Sequence, residues 1–229
     1  MEKDTELQSL FSQALISHDK EKAIKLINDA LKNRTHDVKT LYETILAPSL
    51  NQISSNQTEQ ELPIWEEHLS SSIVRSALEI TYPYVLAERD AGHSVANAQF
   101  ANQKAIVFCL EEEYHELGAR MITDFLTILG FDAYYIGANT PKREILKAIA
   151  YFEPTLVCIS VTNFYHLTKL HSLIEELKLK EIQSVTPFTL IVGGYAVQHS
   201  SNVDVLVKAD YYANTFEDLK KIKEAILCV

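Results

Sequence analysis

The 229-residue chain has little glycine and little proline, six of each, and only three cysteines and one tryptophan. So few Gly and Pro exclude a collagen-like or low-complexity chain. Three cysteines is an odd number, and Cys109 and Cys158 fall inside apolar runs. They are expected as reduced core thiols of a cytoplasmic protein, not as a disulfide frame. No apolar run approaches the ~20 residues a membrane span needs, and Met1-Glu2-Lys3-Asp4 is a polar opening, not a secretory leader. Positive charge is scarce too: 21 Lys and Arg face 31 Asp and Glu, a net charge of -10. Residues 1–97 hold 9 basic and 15 acidic side chains, which leaves 12 and 16 for 98–229. Neither half offers the basic face a phosphate backbone demands, so direct nucleic-acid binding is not expected.

What is there suits a globular protein of one large or two small domains: 47% hydrophobic and 23% charged residues. The first ninety residues have helical spacing. Leu7, Leu10, Phe11 and Leu15 recur at three- and four-residue steps, as do Ala23, Ile24, Ile27 and Leu31, and then Leu41, Ile45, Leu46 and Leu50. Asp19 stands where a helix cap belongs, but Lys22 occupies the position a capping box gives to Glu. After the polar stretch Asn51 to Glu61, Pro63 starts a fourth helix running to about Glu88, and Pro83 within it predicts a kink or an early end near Tyr82. Four amphipathic helices predict a four-helix bundle.

Asp90 to Gln103 is small and polar, and beyond it the period changes. Apolar runs at Ala105–Leu110, Asp132–Ile136, Leu156–Val161 and Phe188–Val192, with a weak strand near Val205, alternate with helical stretches from about Glu116, Pro141, His166, Tyr195 and Phe216. This alternation predicts an α/β fold, a flavodoxin-like, Rossmann-like, doubly wound sheet of five parallel strands. The expected domains are a helical cap, 1–97, and a Rossmann-like domain, 98–229.

In such sheets ligands collect outside the carboxyl ends of the strands, where strand order reverses. Strand one exits into Glu111-Glu112-Glu113-Tyr114-His115-Glu116-Leu117-Gly118. There is no GxGxxG and no GxxxxGK[ST], so dinucleotide and Walker-type phosphate sites lose support. Ser160 at the end of strand three argues against a phospho-acceptor receiver, which needs Asp there. What remains is a loop histidine able to serve as a metal ligand, with a carboxylate two residues earlier to fix its tautomer. Gly118 would let backbone approach something bulky. Ser160 and Thr162 leave strand three with hydroxyls on one side, and Gly193-Gly194 leave strand four without side chains, a slot for a flat ring. Glu111 and Glu112 suit a solvated loop, and Tyr165, His166 and His171 are expected as packing or surface residues.

Glu113-x-His115-x-x-Gly118, Ser160-x-Thr162 and Gly193-Gly194 together resemble the three-part signature of the cobalamin-binding family, whose first element is usually Asp-x-His-x-x-Gly. Gly137-Ala138-Asn139-Thr140-Pro141 and Ala209-Asp210 extend the likeness. The family includes the cobalamin module of methionine synthase, small corrinoid methyl carriers and light-sensing adenosylcobalamin-dependent repressors, many with a helical cap. The resemblance implies base-off binding, with His115 as lower axial ligand to cobalt and Tyr114, Glu116 and Leu117 beside it. The cofactor tail would pass Ser160, Thr162, Gly193, Gly194 and Tyr195. Glu113 in place of Asp matches the light-sensing branch. In that branch Trp-x9-Glu-His on the cap encloses the upper ligand: Glu67-His68 fit the second part, whereas Gln57 holds the Trp position, Thr58 follows it, and the sole tryptophan is Trp65.

The expected function is thus a stand-alone adenosylcobalamin sensor or regulatory module for light or ligand, with a methyl carrier using methylcobalamin as the alternative. A third candidate is a divalent-metal protein using His115 and the nearby glutamates. The implied partners are cobalamin, a second copy of the chain, and a regulator or methyltransferase protein. No acid–base pair or substrate pocket of an enzyme acting alone is visible.

Overall fold

The computed structural model describes residues 2–52, 63–92, 103–181, 187–200 and 207–227. The chain divides into two compact units, Met1–Glu88 and Arg89–Val229. The expected boundary between 97 and 98 lies outside the described residues, as do Gln57, Thr58, Val205 and Cys228.

In the first unit the three- and four-residue apolar steps become helices α1 (Glu2–Ile16), α2 (Lys20–Lys32) and α3 (Val38–Thr40). Helix α3 passes directly into a π-helical stretch, Leu41–Leu46, and helical backbone continues to Gln52. Phe11, Leu15, Ile27, Leu41, Ile45 and Leu46 are fully buried, so the stripe read from spacing is the core of this unit. The Asp19 carboxylate caps α2 by accepting from Lys22 N at 2.9 Å, and Asp37 does the same for Thr40 N at 2.7 Å. A Glu at the Lys22 position is therefore not needed for the cap to form.

Helix α4 (Ile64–Ala91) does not end near Tyr82; it runs on through Pro83. Proline removes one backbone donor and crowds the carbonyl a turn earlier. Pro83 is exposed, as is Glu79, whose carbonyl stands one helical turn before it. Buried Ile73, Val74, Ala77, Leu78 and Val85 lie on both sides of the proline and hold the helix together across it.

The second unit alternates strand and helix: β1 (Lys104–Leu110), α5 (Leu117–Ile128), β2 (Asp132–Thr140), α6 (Lys142–Phe152), β3 (Leu156–Ser160), a 3-10 turn (Phe164–His166), α7 (Leu167–Glu181), β4 (Thr189–Gly193), α8 (Tyr195–Gln198), β5 (Tyr211–Tyr212) and α9 (Phe216–Leu227). All pairings are parallel and the order is β2-β1-β3-β4-β5, the flavodoxin-like doubly wound arrangement. Ile106, Phe108, Val157, Ile159, Leu190 and Val192 cluster with Ile145 of α6 and Leu170, Leu173 and Leu177 of α7. Alternation sends Val107, Cys109, Cys158 and Ile191 to the opposite face. There Phe125 of α5 meets Phe216 of α9 edge-on, with ring centroids 5.5 Å apart.

Two elements differ from the sequence expectation. Strand β2 continues to Thr140 because it slips register against β1, Phe108 pairing with Gly137 and Leu110 with Thr140. Gly137, at φ +146°, makes that irregularity accessible. The fifth described strand is Tyr211–Tyr212, paired to Ile191 and Val192.

Replacing exposed Pro83 by Ala restores a helix donor without removing a buried contact. The substitution should stabilise the chain by ~1–3 kcal/mol, read as a higher urea midpoint, and an unchanged or lowered midpoint would contradict this account of α4.

Candidate functional site

The order β2-β1-β3 places the reversal of strand order between β1 and β3, and the loops leaving those strands meet there. Their contact is made by one side chain. Glu113 leaves β1 fully buried, at 0% exposure. Its Oε1 accepts from the His115 ring Nδ1 at 2.5 Å and from the His115 backbone N at 3.2 Å. Its Oε2 accepts from the backbone N of Thr162 at 3.0 Å and of Asn163 at 2.9 Å, and faces His166 Nδ1 at 3.2 Å. Burial alone would raise the carboxyl's pKa. The hydrogen bonds from the His115 ring, from Asn163 N, His115 N and Thr162 N outweigh it and hold the group at about 2. Glu113 is thus an ionised, acceptor-only group that compels the nitrogens around it to donate.

The His115 side chain is 51% exposed. With Nδ1 donating to Glu113, the neutral ring carries its lone pair on Nε2, the form a metal takes. The loop is pinned on its other side as well. Asn139, at φ +47° near the end of β2, accepts from Glu112 N through its side chain at 2.7 Å and donates its own N to Glu113 O at 2.8 Å. Cys109 Sγ meets His115 O at 3.6 Å, and Tyr135 Oη donates to Glu116 Oε2 at 3.1 Å. Glu112, expected only as a solvated residue, is paired with Lys169.

Gly118, in the first turn of α5, has no heavy atom within 4 Å of where a Cβ would stand. Its φ is not positive, so the fold does not require glycine here, and the position is an open cradle beside His115. The double glycine is different. A Cβ on Gly193 would stand 2.1 Å from Ala213 O, and on Gly194, at φ +102°, 2.4 Å from Val161 O. The space expected as a slot is taken by the chain's own backbone: these glycines let the ends of β3, β4 and β5 approach one another. Asn214 Oδ1 accepts from Gly194 N at 2.7 Å and secures the turn.

Ser160 and Thr162 leave β3 half-buried, and neither hydroxyl has a hydrogen-bond partner among the described residues. Tyr114, at 68% exposure, and Leu117, at 8%, flank His115. Tyr195 meets Phe164 edge-on at 6.1 Å and stacks on His199 at 4.0 Å. A cavity of about 360 Å³ lies at the ends of β1 and β2 over Leu110, Ile145 and Leu173; Ser160, Thr162, Gly193 and Gly194 do not line it. Among the described residues no three His, Cys, Asp or Glu side chains could together hold a metal ion. The divalent-metal candidate therefore has no ligand set among the described residues.

His166, expected as a packing or surface residue, is part of the site. So are Asn163 and Asn139. Asn163 and His166 reach Glu113 from the end of β3, and Asn139 reaches Glu112 and Glu113 from the end of β2, a proximity that only the order of strands creates. In the helical unit, Trp65 is 57% exposed at the start of α4 with its ring 5.7 Å from that of His18; Glu67 is half-buried and His68 exposed.

The low pKa of Glu113 has a consequence for stability. Its folded value lies below the unfolded one, so the group contributes stability above about pH 4.5 that is lost as pH falls toward 2. The contribution is of order 3 kcal/mol at neutral pH. Glu113→Gln should lower neutral-pH stability and flatten the acid limb of the urea-midpoint profile; an unchanged profile would refute the paired carboxylate. Gly194→Ala should cost ~2 kcal/mol or more from strain and overlap with Val161, and a wild-type urea midpoint would contradict that packing.

Comparison with known proteins bears on the same residues. Over 216 residues, 94% of this chain and 67% of the other, the sequence is 22% identical to the HTH-type transcriptional repressor CarA of Myxococcus xanthus. The fold is similar to that of the Methanosarcina barkeri monomethylamine corrinoid protein, with a TM-score of 0.80, 17% identity, and coverage of 97% of this chain and 99% of that one. A B12 binding domain model matches residues 103–219, and a second B12 binding domain model matches residues 7–82. Both the helical unit and the strand-containing unit thus carry the marks of one family, and the chain is a member of the B12-binding (cobalamin-binding) family.

Proposed function

We propose that the chain holds cobalamin base-off, with His115 as the lower axial ligand to cobalt, as a sensor or regulatory module. The observation that carries this reading is the His115–Glu113 pair. A half-exposed imidazole is held at Nδ1 by a buried, ionised carboxylate, which leaves the Nε2 lone pair for a metal and raises its basicity. A metal brought in by a macrocycle needs few protein ligands, and among the described residues no three His, Cys, Asp or Glu side chains form a set of their own for a metal. Gly118 adds an open space that a side chain would fill. The unpartnered hydroxyls of Ser160 and Thr162 are available to the cofactor tail, with Gly193, Gly194 and Tyr195 beside them. On the helical unit, Trp65, Glu67 and His68 are the proposed cover of the upper ligand, adenosyl in preference to methyl.

Bound cobalamin would supply a reactive cobalt–carbon bond. The chain's own residues ligate, orient and shield. The regulatory reading is supported by the relationship to a transcriptional repressor across 94% of this chain and by Glu113 in place of Asp. The second reading is a methyl carrier with a methyltransferase partner. It is favoured by the correspondence in fold with a corrinoid protein, which spans nearly the whole of both chains.

Adding adenosylcobalamin to the purified chain should shift the visible spectrum to the base-off, His-ligated form. His115→Ala should abolish the shift, and an unchanged wild-type spectrum would overturn the proposal. Gly118→Ala separates fold from ligand: it should leave stability equal or raise it by ~0.5 kcal/mol while weakening cobalamin binding, and undiminished binding would remove Gly118 from the site. A sensor should also change elution volume in gel filtration when the adenosylcobalamin complex is illuminated or its upper ligand exchanged; a methyl carrier should not.

A further inference from the structure

Helices α6 and α7 cover the sheet face that carries Ile106, Phe108 and Leu110. At the carboxyl ends of the strands they leave the cavity of about 360 Å³. None of the residues proposed to touch cobalamin lines it, and α5, which follows His115, packs on the other face of the sheet. The floor is apolar: Leu110 of β1, Ile145 of α6 and Leu173 of α7. An apolar recess gives an inorganic ion nothing to bury. A volume near the small end of the ~300–1,000 Å³ range of ligand cavities does not admit a corrinoid or a long-chain lipid.

The rim decides the charge of what fits. Lys142 opens α6 and Lys169 lies in the first turn of α7, and both line the cavity. They pair with Glu176 and Glu112, which do not line it. An ammonium has three N–H donors, so each lysine keeps donors for a further acceptor. Pro141, the N-cap of α6, gives that helix no side-chain cap. Glu144 N and Ile145 N turn back to Pro141 O, which leaves the first N–H groups of α6 without a helical acceptor. A helix end of this kind favours negative charge. The hydroxyls of Thr168 and Ser172, one turn apart on α7, have no hydrogen-bond partner among the described residues. Against these donors the described lining has the carboxylate of Glu111.

We propose that this cavity is a ligand site for a small amphiphilic carboxylate. Its short apolar chain lies on Leu110, Ile145 and Leu173, and its two oxygens accept from Lys142 and Lys169. The site does not depend on cobalamin, and its test uses the full chain without cofactor.

The probes are octanoate, octylammonium and octanol, which share a chain and differ in charge. Binding is followed by NMR of 13C-labelled Ile and Leu methyl groups, with the cavity signals identified by their loss in Ile145→Val, Leu110→Met and Leu173→Met. Octanoate should shift these three residues saturably and bind at least about tenfold more tightly than octylammonium. Lys142→Gln with Lys169→Gln should weaken octanoate by about tenfold, in the range for lost charge-assisted hydrogen bonds, and leave octanol unchanged. Both lysines are half-exposed, so the double variant keeps the buried floor intact. Absence of a saturable shift at the three residues overturns the proposal. Octylammonium binding as tightly as octanoate also overturns it, since Glu111 would then be the group that selects. Undiminished octanoate affinity in the double lysine variant is equally fatal. A chain that takes octanoate but gives no spectral change with adenosylcobalamin would lose the proposed function and keep this site.

Discussion

A carboxylate taken out of water must be given other donors or it gives up its charge. Glu113 is given five: two ring nitrogens and three backbone N–H groups. The site follows from that single requirement. Because the donors come from His115 on one loop and from Thr162, Asn163 and His166 on another, satisfying the charge binds the two loops together. Because the anion persists across the physiological pH range, it dictates which nitrogen of each facing ring bears the hydrogen. The posture of His115 is a by-product of keeping Glu113 ionised.

The sheet makes this possible. Thr162 and Asn163 lie 49 and 50 residues beyond Glu113, and they meet it because β1 and β3 are direct neighbours. Strand β2, on the other side of β1, contributes Asn139, whose positive φ and short amide side chain suit a residue that must bond a neighbouring loop both ways. On the β3–β4 side the double glycine brings backbone so close that no other residue fits at Gly193 or Gly194 without displacement. The ends of four strands, β1 to β4, are thereby held by backbone and polar contacts.

The helical unit obeys a simpler physics. Its apolar stripe is deep enough that Phe11, Leu15, Ile27 and Ile45 are wholly buried, and its helices tolerate irregularity: a π-helical turn at Leu41–Leu46 and a proline inside α4. Packing on both sides of Pro83 offsets the one missing hydrogen bond. At the start of α4, by contrast, Ile64 and Trp65 stay largely exposed, at 68% and 57%. That is where the proposed upper-face residues Trp65, Glu67 and His68 fall.

Period and punctuation were enough to read helices before residue 92 and alternating strands and helices after 103, because burial of an amphipathic face imposes the 3.6 and 2 spacings directly on the chain. Composition, with acidic side chains in excess in both halves, argued against a basic nucleic-acid surface. The triplet of short motifs pointed to the cofactor, since a histidine with a carboxylate two residues away is a local arrangement, readable in one stretch of sequence. Local signals failed where long-range packing decides. They could not show that α4 would pass Pro83, that β2 would slip register at Gly137, or that Gly193 and Gly194 have their side-chain space filled by Ala213 and Val161. They also missed His166 and Asn163. Hydrogen bonds between groups some fifty residues apart leave no periodicity in a sequence; they exist only once parallel pairing has laid the end of β3 beside the end of β1.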